Sequence, residues 1–205
     1  MADELLAGNR RFRATSAADE REALRRLATE GQRPRALFIG CSDSRVVPEL
    51  ITGARPGDLF VVRNIANRVP AWDERDNGVA AAVEFALEQL ATPDVIVCGH
   101  DGCGGVSAAL ASSPPGRARS RLDRWLRGIQ PAVVRAREAD GPRERLLARA
   151  VEQNVLEGLV NLASYPVVAR AHAGGRVRLH AWVYDLAEAV VRVHDPAVGR
   201  FVVPA

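Results

Sequence analysis

Four short apolar runs, at residues 36–40, 59–63, 94–99 and 177–184, are rich in β-branched residues and too short to be buried helices. Segments with helical spacing stand between them. The clearest are 78–90, with Val79, Ala82, Val83, Ala86, Leu87 and Leu90 on one face, and Arg143–Ser164, with Leu146, Leu147, Ala150, Val155, Leu159 and Leu162. Strands that alternate with helices imply a parallel sheet with right-handed crossovers and helical layers on its faces. The expected fold class is α/β: a central, mostly parallel β-sheet of four strands plus an edge strand at 200–203, flanked by helices. Leu5, Leu6, Phe12, Leu24 and Leu27, spaced among many charges, add one or two amphipathic helices as an N-terminal helical arm. Pro166 suits the first turn of a further short helix, and residues 112–116, Ser-Ser-Pro-Pro-Gly, read as a surface loop.

A chain of 205 residues, 47% hydrophobic and 26% charged, suits one globular domain with a real core. Within it, 1–31 forms the arm, 32–185 the core that carries the chemistry, and 186–205 a C-terminal helix and the edge strand. No apolar run is long enough to span a bilayer, and Met1 to Leu6 lack the basic start of a signal peptide, so a cytoplasmic protein with no membrane partner is expected. The net charge of +3 is spread rather than gathered into a stripe, which gives nucleic-acid binding no support. All 28 basic residues are arginine, which excludes a lysine nucleophile or Schiff base. Three cysteines make an odd set for a disulfide framework and turn attention to metal binding or free thiols.

Cys41 follows the first apolar run and opens Cys41-Ser42-Asp43-Ser44-Arg45. His100 and Cys103 follow the third, in His100-Asp101-Gly102-Cys103-Gly104-Gly105. If these strands are neighbours in a parallel sheet, their carboxyl ends lie side by side, where α/β folds place their chemistry. Two thiolates and an imidazole suit Zn²⁺ over magnesium or manganese and leave one coordination position over, as in catalytic sites. A lone cysteine ending a buried strand is more often a small core residue, and Cys98, inside the third strand, is read that way. Asp43 is open to two readings: a fourth ligand that closes the site, or a carboxylate held by Arg45 in a bidentate pair that leaves the fourth position to water. The glycine-rich turn runs into an apparent helix at Val106, so backbone amides there can face an anionic oxygen.

Taken together, Cys41-Ser42-Asp43-Ser44-Arg45 and His100-x-x-Cys103-Gly104-Gly105 resemble the signature of β-class carbonic anhydrases. The similarity extends through residues 56–67 and 180–184, and covers roughly 32–185. The resemblance implies a Zn²⁺ site of Cys41, His100 and Cys103, an Asp43–Arg45 catalytic dyad, and hydration of carbon dioxide to bicarbonate and a proton by zinc-bound hydroxide. It implies substrate contacts from Gln32, from the Gly104 backbone N–H, and from Phe60, Ile65 and Phe85, the last where many members have tyrosine. It also implies a homodimer or a dimer of dimers. Carbonyl sulfide and carbon disulfide hydrolases share the ligand set and stand as the alternative, with a non-catalytic zinc-binding homologue as a second. One subgroup of the family holds bicarbonate in a non-catalytic pocket; its positions match Phe38, Arg63 and Tyr184 here, and Phe38 lacks the indole donor found there. An open zinc site, with Asp43 paired to Arg45, is therefore expected.

Overall fold

The computed structural model describes residues 1–73, 77–111 and 120–204, so the loop expected at 112–116 lies outside the described residues. The chain divides into two units, Met1–Arg33 and Pro34–Ala205. In the first, helices α1 (Ala2–Thr15) and α2 (Ala18–Glu30) each carry acidic residues in the first turn, Asp3 with Glu4 and Asp19 with Glu20, beside the positive end of the helix dipole. The Ser16 hydroxyl donates to the Phe12 carbonyl at 2.6 Å between them. Neither helix buries a residue, and Leu5, Leu6 and Phe12 are exposed.

The second unit is built on a six-stranded sheet. Its strands are β1 (Ala36–Cys41), β2 (Leu59–Asn64), β3 (Asp94–His100), β4 (Arg178–Asp185), β5 (Val190–Asp195) and β6 (Arg200–Val202), ordered β2-β1-β3-β4-β5-β6. β2, β1, β3 and β4 run parallel, as the alternation of strand and helix requires, while β5 and β6 are antiparallel. The connecting helices are α3 (Pro48–Thr52), α4 (Gly78–Glu84), α5 (Gly104–Ala111), α6 (Arg121–Arg127), α7 (Gln130–Arg137), α8 (Arg143–Ser164) and α9 (Pro166–Ala173). No helix among the described residues is long and apolar enough to cross a membrane.

Alternation along the strands divides the core. Leu37, Ile39, Val95 and Val97 join the main cluster with Val83 of α4, Val133 of α7, Val155 of α8 and Val168 of α9. Ala36, Phe38, Ile96 and Cys98 fill the other face, where the Phe38 and Trp182 rings meet edge to face at 6.4 Å. On the main face α8 lies close to the sheet at Gly99, where a Cβ would stand 2.8 Å from Val155 Cγ2 and 3.0 Å from Val151 Cγ1. Only glycine fits there.

Two expectations need correction. The helix expected within 186–205 does not form: the described residues of that stretch hold β5 and β6, so the sheet has six strands rather than five. Asp185 Oδ1 accepts the amides of Ala187 and Glu188, at 2.9 and 3.1 Å, and turns the chain back on itself; Asp195 Oδ1 repeats the device with Ala197 at 2.8 Å. The helix-forming Leu-Ala-Glu-Ala stretch is consumed in the first of these turns, and the β-branched Val190, Val191 and Val193 pair against β4. The helix expected over 78–90 is capped at Asn77, whose side chain accepts from Val79 and Ala80, but its second half, Phe85–Gln89, widens into a π-helical turn.

Candidate metal centre

Strand register brings the ligand candidates together. Gly40 lies opposite Cys98 and β3 runs two residues further, so Cys41 and His100 stand at neighbouring strand ends. Gly102, at φ 65°, bends the chain so that Cys103 precedes α5. Cys41, His100 and Cys103 are all buried, and one ligand atom from each lies within 4.8 Å of the others. The two sulfurs are 3.9 Å apart.

His100 Nδ1 lies 3.0 Å from the Asp101 carbonyl. A carbonyl can only accept, so Nδ1 carries the proton and Nε2 offers a lone pair. Nε2 is buried without a hydrogen-bond partner. An orphaned imidazole nitrogen beside two cysteine sulfurs is a donor set that fits a soft divalent cation, and zinc in particular. Hydrogen bonding from Cys103 lowers the Cys41 thiol pKa to about 4 against the opposing effect of burial. The same sulfur–sulfur bond and burial raise that of Cys103. Cys98 is not part of this group; burial pushes its thiol up to about 12, as befits a core residue.

Asp43 and Arg45 form a fork. Arg45 Nε donates to Asp43 Oδ1 at 2.9 Å and Nη2 to Oδ2 at 2.8 Å, and the Arg45 amide adds a third bond to Oδ1 at 3.1 Å. These bonds hold the Asp43 carboxyl well below the usual carboxylate range. Asp43 Oδ2 lies 3.8 Å from His100 Nε2, so the paired carboxylate borders the ligand group.

Two supporting contacts escaped sequence reading, the first of them made by Arg63, a residue expected instead in an anion pocket. Arg63 Nε donates to the Cys41 carbonyl at 2.9 Å and Nη2 to the Asp43 carbonyl at 2.7 Å, clamping the turn that carries Cys41 and Asp43. Ala66 takes a left-handed conformation at φ 62°, its carbonyl held by Asn154 Nδ2 of α8 at 2.9 Å, within the buried cluster that also holds Cys41 and Cys103. Neither support has a local motif that could have revealed it. Tyr184, expected beside Arg63, pairs in register with His100 and packs with the Phe38 cluster.

Of the expected substrate contacts, Phe60 and Phe85 stack at 5.7 Å, with 25° between ring planes, while Phe85 and Ile65 remain 46% and 43% exposed. Gly104 is exposed at the start of α5. Gln32 belongs to the first unit, just after α2, and is exposed there.

Residues 36–191 match the carbonic anhydrase family. A carbonic anhydrase of Pseudomonas aeruginosa is 41% identical over 201 residues, 97% of this chain and 90% of its own length, and carbonic anhydrase 1 of Escherichia coli O157:H7 shares the same identity and coverage. The solved structure of the β-carbonic anhydrase CcaA is similar over 99% of both chains, with a TM-score of 0.91 at 35% identity. A tetrameric β-carbonic anhydrase from the ascomycete Sordaria macrospora gives 0.82 at 30% identity, over 98% of both. The chain belongs to the carbonic anhydrase family, in its β class. It is an enzyme of the carbonate dehydratase type, and the general reaction of the family is CO₂ hydration.

Proposed function

We propose that the chain reversibly hydrates CO₂ to bicarbonate and a proton, using Zn²⁺ held by Cys41, His100 and Cys103. The observation that carries this reading is the unpartnered, buried Nε2 of His100, set between two cysteine sulfurs and a carboxylate already engaged by Arg45. Zinc, when bound, supplies the Lewis acidity that makes water nucleophilic near neutral pH. Asp43, kept ionised by Arg45, accepts a hydrogen bond from the attacking water and orients its lone pair toward carbon. The Arg45 fork favours Asp43 as acceptor over Asp43 as ligand, so Cys41, His100 and Cys103 alone would hold the ion and water could reach it. The Gly104 N–H donates to the oxygen that gains negative charge, and Phe60, Ile65 and Phe85 supply apolar surface suited to an uncharged linear substrate. Gln32 joins as a substrate contact on the resemblance alone. Arg63 is read as a clamp on the Cys41–Asp43 turn, a role that competes with the anion pocket expected at Arg63 and Tyr184.

A homodimer or dimer of dimers, acting on a small molecule in the cytoplasm, completes the reading. Metal analysis and gas-substrate assays test it. One zinc per chain is expected, lost from Cys41→Ser, His100→Ala and Cys103→Ser and kept by Cys98→Ser, with bicarbonate formed from CO₂ faster than sulfide is released from carbonyl sulfide. Zinc retained by all three ligand variants would overturn the ligand set, and faster sulfide release would reassign the substrate.

A further inference from the structure

His100 is aimed by the carbonyl of its own neighbour, so whatever fixes the Asp101 peptide also fixes the ligand. Two groups do so. The Asp101 amide donates to the Tyr184 carbonyl at 3.0 Å, which ties the turn to the end of β4. The Asp101 carboxylate accepts from Arg192 Nη2 at 2.9 Å on each oxygen, and Arg192 Nη1 donates to Glu152 Oε1 of α8, also at 2.9 Å. Arg192 sits on β5, in register with Val183, so a single guanidinium joins the antiparallel extension of the sheet, the longest helix and the turn between two ligand candidates. All three side chains are mostly shielded, at 25% exposure for Arg192, 31% for Asp101 and 28% for Glu152, where a charge-assisted bond is less screened by solvent than at an open surface.

We propose that Arg192 is a positioning residue for the metal centre: through Asp101 it holds the His100–Cys103 turn in the geometry that presents Nε2 and the Cys103 sulfur together. This rests on the ligand assignment above. The role is indirect, since Arg192 touches no ligand atom, and it matches the way outer groups orient metal-binding histidines, whose loss weakens metal binding roughly 10–100-fold.

The experiment follows zinc leaving the full-length holoprotein into an excess of chromogenic chelator, for wild type, Arg192→Gln, Arg192→Lys, Asp101→Asn and the double variant Asp101→Asn/Arg192→Gln. Arg178→Gln serves as the control, because Arg178 makes a comparable fork with Asp94 at the opposite ends of β3 and β4, at 2.8 and 2.7 Å. Zinc release faster by about tenfold is expected in Arg192→Gln and Asp101→Asn, no further in the double variant, partly restored in Arg192→Lys, and unchanged in Arg178→Gln. The visible spectrum of the cobalt-substituted protein should shift in Arg192→Gln and not in Arg178→Gln. A wild type that binds no zinc would overturn the ligand assignment and this inference with it. Zinc bound normally, with release in Arg192→Gln equal to wild type or raised only as much as in Arg178→Gln, would overturn the inference alone.

Discussion

Asp43 shows how one charge decides between two chemistries. Free, the carboxylate is a competent metal ligand; forked by Arg45, it is an acceptor with a fixed orientation. Asp43→Asn should keep zinc yet lose CO₂ hydration by roughly 10²–10⁴-fold, the usual scale for removing a positioned proton acceptor. Arg45→Ala should also keep zinc and lose activity, because the carboxylate it releases can then take the metal. Stopped-flow hydration with a pH indicator, beside metal analysis, separates these effects; near wild-type rates in both would reduce the pair to a structural contact. The grouping of Cys41, His100 and Cys103 and the Asp43–Arg45 pair could be anticipated from the sequence because each lies in a short motif. The contacts of Arg63, Asn154 and Arg192 could not, since their partners are 22, 88 and 91 residues away and only the packed sheet brings them together.

At the scale of elements, the starts of β3 and β4 are joined by Asp94, which accepts from Arg178 and lies 2.7 Å from His180 Nε2. The bonds from Arg178, and then His180, hold its carboxyl below the ordinary range despite burial. With the folded pKa below the unfolded value of about 3.9, this stabilisation is fully present above pH 4 and is lost as pH falls through the folded pKa. Asp94→Asn should therefore lower stability at pH 7 by about 0.5–1 kcal/mol, discounted because Arg178 is 71% exposed, with the difference from wild type shrinking near pH 3. Urea midpoints at the two pH values measure it, and an equal loss at both would point to packing instead. The parallel core was legible because each strand is a dense apolar run between helical segments. β5 was not, because its Arg192, His194 and Asp195 dilute the apolar signal and the preceding Leu-Ala-Glu-Ala favours helix in isolation. The two aspartate turns override that local preference only in the company of β4.

For the whole molecule, the exposed apolar residues call for a partner. Phe85 and Ile65, two of the apolar candidates of the site, are exposed, and Leu5, Leu6 and Phe12 are open on helices that bury nothing. Covering such side chains is worth about 1.5–3 kcal/mol for each one fully removed from water. Light scattering should therefore give a mass at least twice that of one chain, and Phe85→Glu should shift the protein toward single chains with reduced activity; a fully active monomer would defeat both expectations. The strand order carries a consequence for how the molecule is made. Cys41 and Cys103 are 62 residues apart, and β1 pairs with β3 only after the chain has passed through β2 and α4. Closing a span of that length is an entropic barrier the chain crosses before the ligands meet. On the proposed ligand set, metal capture would then be a late event that registers a completed sheet, in contrast to small zinc modules whose folding the ion itself begins.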